Sequence, residues 1–169
     1  MQKFLLMMLV LGGVVNGIAG FTSGSTPTTA IECLWIVNDL TLILGLIGLL
    51  LVHAAQLNTI GYIGLLLCIT SLAFIAGPSA QIGGIPAYSI GTPLIALGFL
   101  LVAIGSWLSG VIKPHLSAML AVSVLLSVGT AVVGICRLTV TANLIFSLAI
   151  ILVALDSLGK SNHRENYVS

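Results

Sequence analysis

Six apolar segments, each about as long as a membrane-spanning helix, strongly constrain the fold of this chain. A bilayer core of about 30 Å requires about 20 mostly apolar residues, because an α-helix rises about 1.5 Å per residue. Residues typical of turns, mainly Gly, Ser, Thr and Pro, separate the segments. The segments cover approximately residues 4–21, 31–53, 59–77, 89–110, 116–136 and 139–157. This pattern predicts an all-α membrane protein, a compact bundle of six transmembrane helices in a single domain over residues 1–169.

The composition excludes several classes of protein. Hydrophobic residues make up 59% of the chain and charged residues 5%, whereas about a quarter of the residues in soluble domains are charged. The formal net charge of +1 provides no basic surface for a nucleic acid. We therefore expect the chain to reside in a lipid bilayer and to have no nucleic-acid partner.

The basic residues predict the orientation of the bundle. Short cytoplasmic loops carry an excess of Lys and Arg. Four basic residues fall on the side of the N-terminus, namely Lys3, Lys113, Lys160 and Arg164, and Arg137 falls on the other side. The bias predicts cytoplasmic termini, a short polar cytoplasmic tail over residues 158–169, and a multi-pass protein of a cell membrane, the bacterial inner membrane. Residues 1–21 also have the outline of a signal peptide, but we expect them to be retained as helix 1.

Helix 2 carries an unusual polar face. At about 100° per residue, Glu32 and Asp39 lie within about 20° of each other around the helix, and Trp35 lies on the same side. An ionised carboxylate that faces lipid near the bilayer centre costs at least about 2.5 kcal/mol. The face is therefore expected to point into the bundle or into a hydrated cavity.

Other polar residues can join this face. Asn16 in helix 1, Asn38 in helix 2 and Asn143 in helix 6 can form hydrogen bonds between helices. A Glu32–Arg137 ion pair is the simplest contact between helices 2 and 5. Two interpretations stay open, a cluster that only orients the helices and a site for a solute or a proton. The candidate site comprises Asn16, Glu32, Trp35, Asp39, Arg137 and Asn143.

Two polar features at the predicted cytoplasmic boundary have ordinary interpretations. His53 is expected to be an interfacial, partly hydrated side chain. Asp156 and Lys160, separated by one helical turn, are expected to form a surface ion pair that contributes little to stability.

The cysteines predict no cofactor. Cys33, Cys68 and Cys136 form no CxxC motif and have no His-rich neighbourhood, so neither a metal site nor haem attachment is indicated. Contact between helices 2 and 5 can bring Cys33 close to Cys136, either as a disulfide or as two inert thiols. Catalytic motifs such as GxSxG and HExxH are missing, so we do not expect an enzyme.

Small residues recur along one side of several helices. Gly13, Gly17 and Gly20 do so in helix 1, and Gly91, Gly98 and Gly105 do so in helix 4. Because lipid tails are as apolar as leucine, helices in a bilayer associate by close packing over such residues. These faces predict tight packing within the bundle, and they can also serve self-association or contact with other membrane subunits.

The passages LGLIGLLLVHAAQLNTIGYIGLLLCITSLAFIAG and GVIKPHLSAMLAVSVLLSVG, together with the basic tail, resemble small uncharacterised bacterial six-helix membrane proteins. In those proteins a short basic loop joins two Gly- and Leu-rich helices. The resemblance implies a fold and no activity. The N-terminal stretch NGIAGFT, followed by Thr29 and Ala30, is similar to the start of the amide and urea channel family.

Two functions are consistent with the sequence. Low charge, short loops and glycine-lined helices favour a non-catalytic structural or accessory subunit of a membrane complex. The alternative is a channel or transporter for a small solute or a proton, which uses the Glu32, Trp35 and Asp39 face of helix 2.

Overall fold

The computed structural model describes residues 1–22, 28–75, 81–82, 84–133 and 136–165. Within these residues it has six helices: α1 (Gln2–Gly20), α2 (Thr29–His53), α3 (Thr59–Ile75), α4 (Ala87–Ser109), α5 (Pro114–Val133) and α6 (Cys136–Glu165).

The six predicted segments coincide with these helices to within a few residues at most ends. Two differences stand out. Helix α6 continues past residue 157 to Glu165, and a short antiparallel pair, β1 (Gln81–Ile82) and β2 (Ile85–Pro86), precedes α4.

Membrane-spanning length is reached by four of the helices in the described part of the chain. Three are α1, α2 and α4, and the fourth is the stretch Leu138–Ser161 of α6. Helix α3 and residues Pro114–Thr130 of α5 are apolar but shorter. The predicted all-α fold with apolar helices long enough to cross a membrane is therefore confirmed.

The helices are arranged in a closed ring. Each packs against its neighbours in sequence, and α6 returns to pack against α1. Helix α1 is antiparallel to α2, because Leu5 contacts Gly48 and Gly12 contacts Leu42. It is antiparallel to α6 as well, because Gly13 contacts Ile151 and Gly20 contacts Asn143. We call the end of the bundle where α1 begins and α2 ends the His53 end, and the opposite end the Asn143 end.

Glycines set the closest helix contacts. A Cβ atom built on Gly45 would lie 2.4 Å from the Leu9 Cα, and one built on Gly105 would lie 2.2 Å from the Gly61 backbone nitrogen. The backbones of α1 and α2, and those of α3 and α4, are therefore in direct contact. The predicted glycine faces are used inside the bundle: Gly13, Gly17 and Gly20 pack on α6, and Gly91, Gly98 and Gly105 pack on α3.

An apolar layer fills the middle of the ring. Every helix contributes at least one buried side chain to it, among them Leu9, Leu46, Leu65, Val102, Leu120 and Ile150. Towards the Asn143 end of these residues lie the buried Asn16 and Asn38, and towards the His53 end lie the buried His53 and Ser157.

Candidate functional site

A cavity of about 230 Å³ lies inside the Asn143 half of the bundle. Its lining comes from all six helices and comprises Asn16, Trp35, Asn38, Leu42, Leu72, Tyr88, Thr92, Ile95, Ala96, Phe99, Val124, Ser127, Thr139, Asn143 and Phe146. Tyr88 is 55% exposed and marks the rim. We call this space the Asn cavity. The described residues that line it include no charged side chain.

Amide and hydroxyl groups provide the polarity of the Asn cavity. The Asn16 amide donates a hydrogen bond from Nδ2 to the Ser147 Oγ over 2.9 Å, which joins α1 to α6. The Ser147 hydroxyl in turn donates to the Asn143 carbonyl over 2.7 Å. The first bond links α1 to α6 at the depth of the cavity, and the second lies within α6.

Asn38 lies at the centre of the buried face of α2. Its Nδ2 donates a hydrogen bond to Asp39 Oδ1 at 3.3 Å. Its Oδ1 is buried and has no hydrogen-bond partner. An unsatisfied buried acceptor costs about 1–3 kcal/mol, and among the described residues that line the cavity this amide oxygen is the fully buried side-chain atom without a hydrogen bond.

Aromatic side chains form much of the remaining wall. Trp35 comes from α2, Tyr88 and Phe99 from α4, and Phe146 from α6. The rings of Phe99 and Phe146 meet edge to face, with centroids 4.9 Å apart and planes at 83°. Such contacts are favourable for the quadrupoles of the rings, and this pair lines the Asn cavity next to the central apolar layer.

The structure brings together part of the candidate site predicted from the sequence. Asn16, Trp35 and Asn143 line the cavity with Asn38, whereas Glu32 and Asp39 do not. Both carboxylates are half-buried at the flank of α2. The cause is the contact of Gly45 and Gly48 with α1, which fixes the rotation of α2 so that Asn38 points inward and Asp39, about 100° around the helix, does not.

The other predicted contacts involve residue 136 or 137, whose side chains are not described. The side chain of Arg137 is not among those described, so the Glu32–Arg137 pair stays a prediction. Cys33 is an exposed free thiol in this structure and is therefore not in a disulfide, and Cys68 is a buried free thiol.

His53 forms a second polar site, at the other end of the bundle. It is only 2% exposed, so the expected hydrated side chain is wrong. Its Nε2 lies 2.9 Å from the Ser157 Oγ, and the Ser157 hydroxyl donates to the Val153 carbonyl over 2.8 Å. Because the Ser157 hydrogen is used, its oxygen accepts from His53, which places a hydrogen on Nε2. Sequence reasoning missed this pair because residues 53 and 157 are far apart in the chain.

A pocket of about 520 Å³ opens next to His53. Val52, Gln56, Ser109, Gly110, Val111 and Lys160 complete its lining. The lining residues come from the end of α2 and the residues after it, from the end of α4 and the α4–α5 connection, and from α6, so the pocket lies at the His53 end of the bundle. We call it the His53 pocket.

Asp156 forms two ion pairs beside the His53 pocket. Its carboxylate lies 3.1 Å from both the Lys113 and the Lys160 ammonium groups, and its side chain is only 7% exposed. Lys160 also donates a hydrogen bond to the Val111 carbonyl. The expected pair of Asp156 and Lys160 is present, but its carboxylate is largely shielded from water instead of lying on the surface, and through Lys113 it also joins α6 to the α4–α5 connection.

The Asn16–Ser147 bond gives a first testable prediction. Replacing Asn16 with Leu removes the bond between α1 and α6, and we expect the free energy of unfolding in bicelles to fall by about 0.5–1.5 kcal/mol. Thr70→Val is the matched control, because the exposed Thr70 hydroxyl bonds only to carbonyls of its own helix. Equal effects of the two changes would contradict a contribution from the interhelical bond.

Comparison with protein-family models, with curated proteins and with solved structures finds no match for this chain. The function must therefore be argued from the site itself. Among the described residues, no group of three or more His, Cys, Asp or Glu side chains is placed to hold a metal ion.

Proposed function

We propose that this chain is a multi-pass protein of the bacterial inner membrane that carries a small uncharged polar solute through the centre of its helical ring. In this proposal all six helices cross the membrane and both termini are cytoplasmic. Lys3, Lys113 and Lys160 lie at the His53 end, and the positive-inside rule therefore assigns that end to the cytoplasm.

The observation that carries the proposal is the pair of polar spaces on either side of the apolar layer. The Asn cavity, lined by all six helices, lies on one side, and the His53 pocket lies on the other. A protein that only anchors other subunits has no need of a polar interior, because buried polar groups are costly in a membrane. Transport proteins bind their solute between helices and open towards one side at a time. The apolar layer is then the barrier that must part during transport.

The lining of the Asn cavity favours an uncharged solute. An ion that enters loses its hydration and needs an opposite charge or several strong dipoles in return. The described lining provides amides, hydroxyls and aromatic rings but no charge. A proton path is less well supported for the same reason, since it requires titratable side chains along the route.

Solute flux through a blocked cavity tests the proposal. Purified protein is reconstituted into liposomes, and the entry of radiolabelled uracil and of glycerol is measured, the latter by light scattering. Ala96 lines the Asn cavity, so Ala96→Trp fills it and is expected to reduce flux to the rate of protein-free liposomes. Ala118 is exposed on α5, and Ala118→Trp is expected to retain the wild-type flux.

Two results would refute transport by this route. One is wild-type flux of every tested solute equal to that of protein-free liposomes. The other is a folded Ala96→Trp protein, verified by circular dichroism and gel filtration, with the flux of the Ala118→Trp control.

The accessory-subunit function remains a second candidate, and a feature of the outer surface favours it. An apolar groove of about 380 Å³ runs along α5 and is lined by Val122, Leu125, Leu126, Gly129, Thr130 and Leu138. A Cβ atom on Gly129 would meet nothing within 4 Å, so at this position the groove is open to a side chain of another subunit. Purification in a mild detergent tests this function: a monodisperse particle without any other polypeptide would count against it.

A further inference from the structure

We infer that the Asn cavity selects a planar, uncharged molecule that carries an N–H or O–H donor, such as a small heteroaromatic ring. This inference rests on the proposed function, because it names the class of solute that the same cavity binds. Three properties of the lining support it, namely its aromatic walls, its unsatisfied acceptor and its lack of charge.

Aromatic residues are concentrated around this cavity. The chain has ten of them, two Trp, three Tyr and five Phe. Four of the ten line the Asn cavity, from three different helices: Trp35, Tyr88, Phe99 and Phe146. Aromatic faces bind flat rings by offset stacking and by edge-to-face contact. A polyol or another non-planar solute gains little from such walls, so the walls favour a ring.

The size of the cavity limits the ring. Its volume of about 230 Å³ is below the range of about 300–1,000 Å³ that is typical of sites for drug-sized ligands. A single ring or a compact fused ring is therefore the largest planar molecule that fits without movement of the helices.

Asn38 supplies the polar part of the selectivity. Its Nδ2 is already bonded to Asp39, whereas its buried Oδ1 has no partner. A ligand N–H or O–H is the group that such an acceptor lacks. A site built around an acceptor also discriminates strongly against an analogue without the donor, because that analogue leaves the acceptor buried and unpaired.

The two tryptophans of the chain make the inference directly measurable. Trp35 lines the cavity, whereas Trp107 is 62% exposed on the outside of α4. In a Trp107→Phe protein, the fluorescence of Trp35 therefore reports binding to the cavity alone. The probes are uracil, which is planar, uncharged and has N–H donors; 1,3-dimethyluracil, which has the same ring without those donors; and erythritol, which is not planar.

We expect uracil to change the Trp35 fluorescence saturably, and 1,3-dimethyluracil to bind at least about tenfold more weakly. Erythritol is expected to produce no change at the same concentrations. Asn38→Leu, in the Trp107→Phe background, is expected to remove the difference between the two uracils. Since the comparison of the three probes on the Trp107→Phe protein needs no change at Asn38, the inference remains testable even if Asn38→Leu does not fold.

Equal binding of uracil and 1,3-dimethyluracil, no saturable change with uracil, or tighter binding of erythritol would each overturn the inference. Measurements of both binding and flux distinguish a failure of this inference from a failure of the proposed function. Uracil binding without flux would refute transport and support this ligand class. Glycerol flux without uracil binding would support transport and overturn the ligand class.

Discussion

Gly105→Ala is expected to lower the free energy of unfolding by about 3 kcal/mol, at the upper end of the usual range for overpacking. The added Cβ atom would lie 2.2 Å from the Gly61 nitrogen and 2.3 Å from the Gly61 Cα. Both atoms belong to the backbone, which cannot rotate away as a side chain can. Helices α3 and α4 must therefore separate by about 1 Å to restore ordinary contact, and every side chain packed along their seam loses contact as well.

Gly129→Ala is the matched control for this change. Gly129 also lies within a helix, but a Cβ atom there would meet nothing within 4 Å. Alanine forms helix better than glycine by about 1 kcal/mol, so we expect no loss of stability and a gain of up to that size. Unfolding by SDS in bicelles, followed by circular dichroism, measures both variants. If both changes have the same effect, α3 and α4 are not in contact at Gly105 and Gly61.

The helices of this fold could be predicted from the sequence because their signals are local. The length of each apolar run and the turn residues between runs depend only on neighbouring positions, and the predicted segments coincide closely with α1 to α5. The β1–β2 pair could not be predicted in the same way. It depends on a bend at Gly84, which has a positive φ of 83°, and a glycine-rich stretch can adopt many other conformations.

The candidate site shows where helical periodicity is insufficient. Periodicity groups Glu32, Trp35 and Asp39 on one side of α2, but it does not fix the rotation of that helix within the bundle, and of the three only Trp35 lines the Asn cavity. The contacts of Gly45 and Gly48 with α1 fix it. Since Asn38 lies about 20° from Gly45 around the helix, the positions of these two glycines were the signal that could have identified Asn38 as the inward residue.

The His53 pocket depends on a contact that is not visible in the sequence pattern. Val111 and Ile112 follow α4 and are both buried, although they belong to a short connection. They lie around the same site as His53 and Ser106, where no space for a water molecule is left. A histidine at the end of an apolar helix usually meets water, and here this connection covers it. Tertiary structure therefore overrides the local expectation.

Because His53 is buried, its replacement is also expected to cause a large loss of stability. His53→Ala is expected to lower the free energy of unfolding by about 2–4 kcal/mol, which is typical when a large buried side chain is truncated. The change removes the hydrogen bond to Ser157 and leaves a cavity beneath Val111 and Ile112. Ser157 keeps its bond to the Val153 carbonyl, so its hydroxyl is not left without a partner, and most of the loss comes from packing.

His115 provides the control, because it is the same residue type in an exposed position at the start of α5. His115→Ala is expected to change the free energy of unfolding by less than about 0.5 kcal/mol, as exposed substitutions usually do. Both variants are measured by SDS unfolding in bicelles at the same pH, so that the two histidines are compared under equal conditions. If the two losses are equal, the side chain of His53 is solvated and the α4–α5 connection does not close over it. In that case the His53 pocket extends further towards the apolar layer, and the barrier of the proposed solute path is thinner than the described packing indicates.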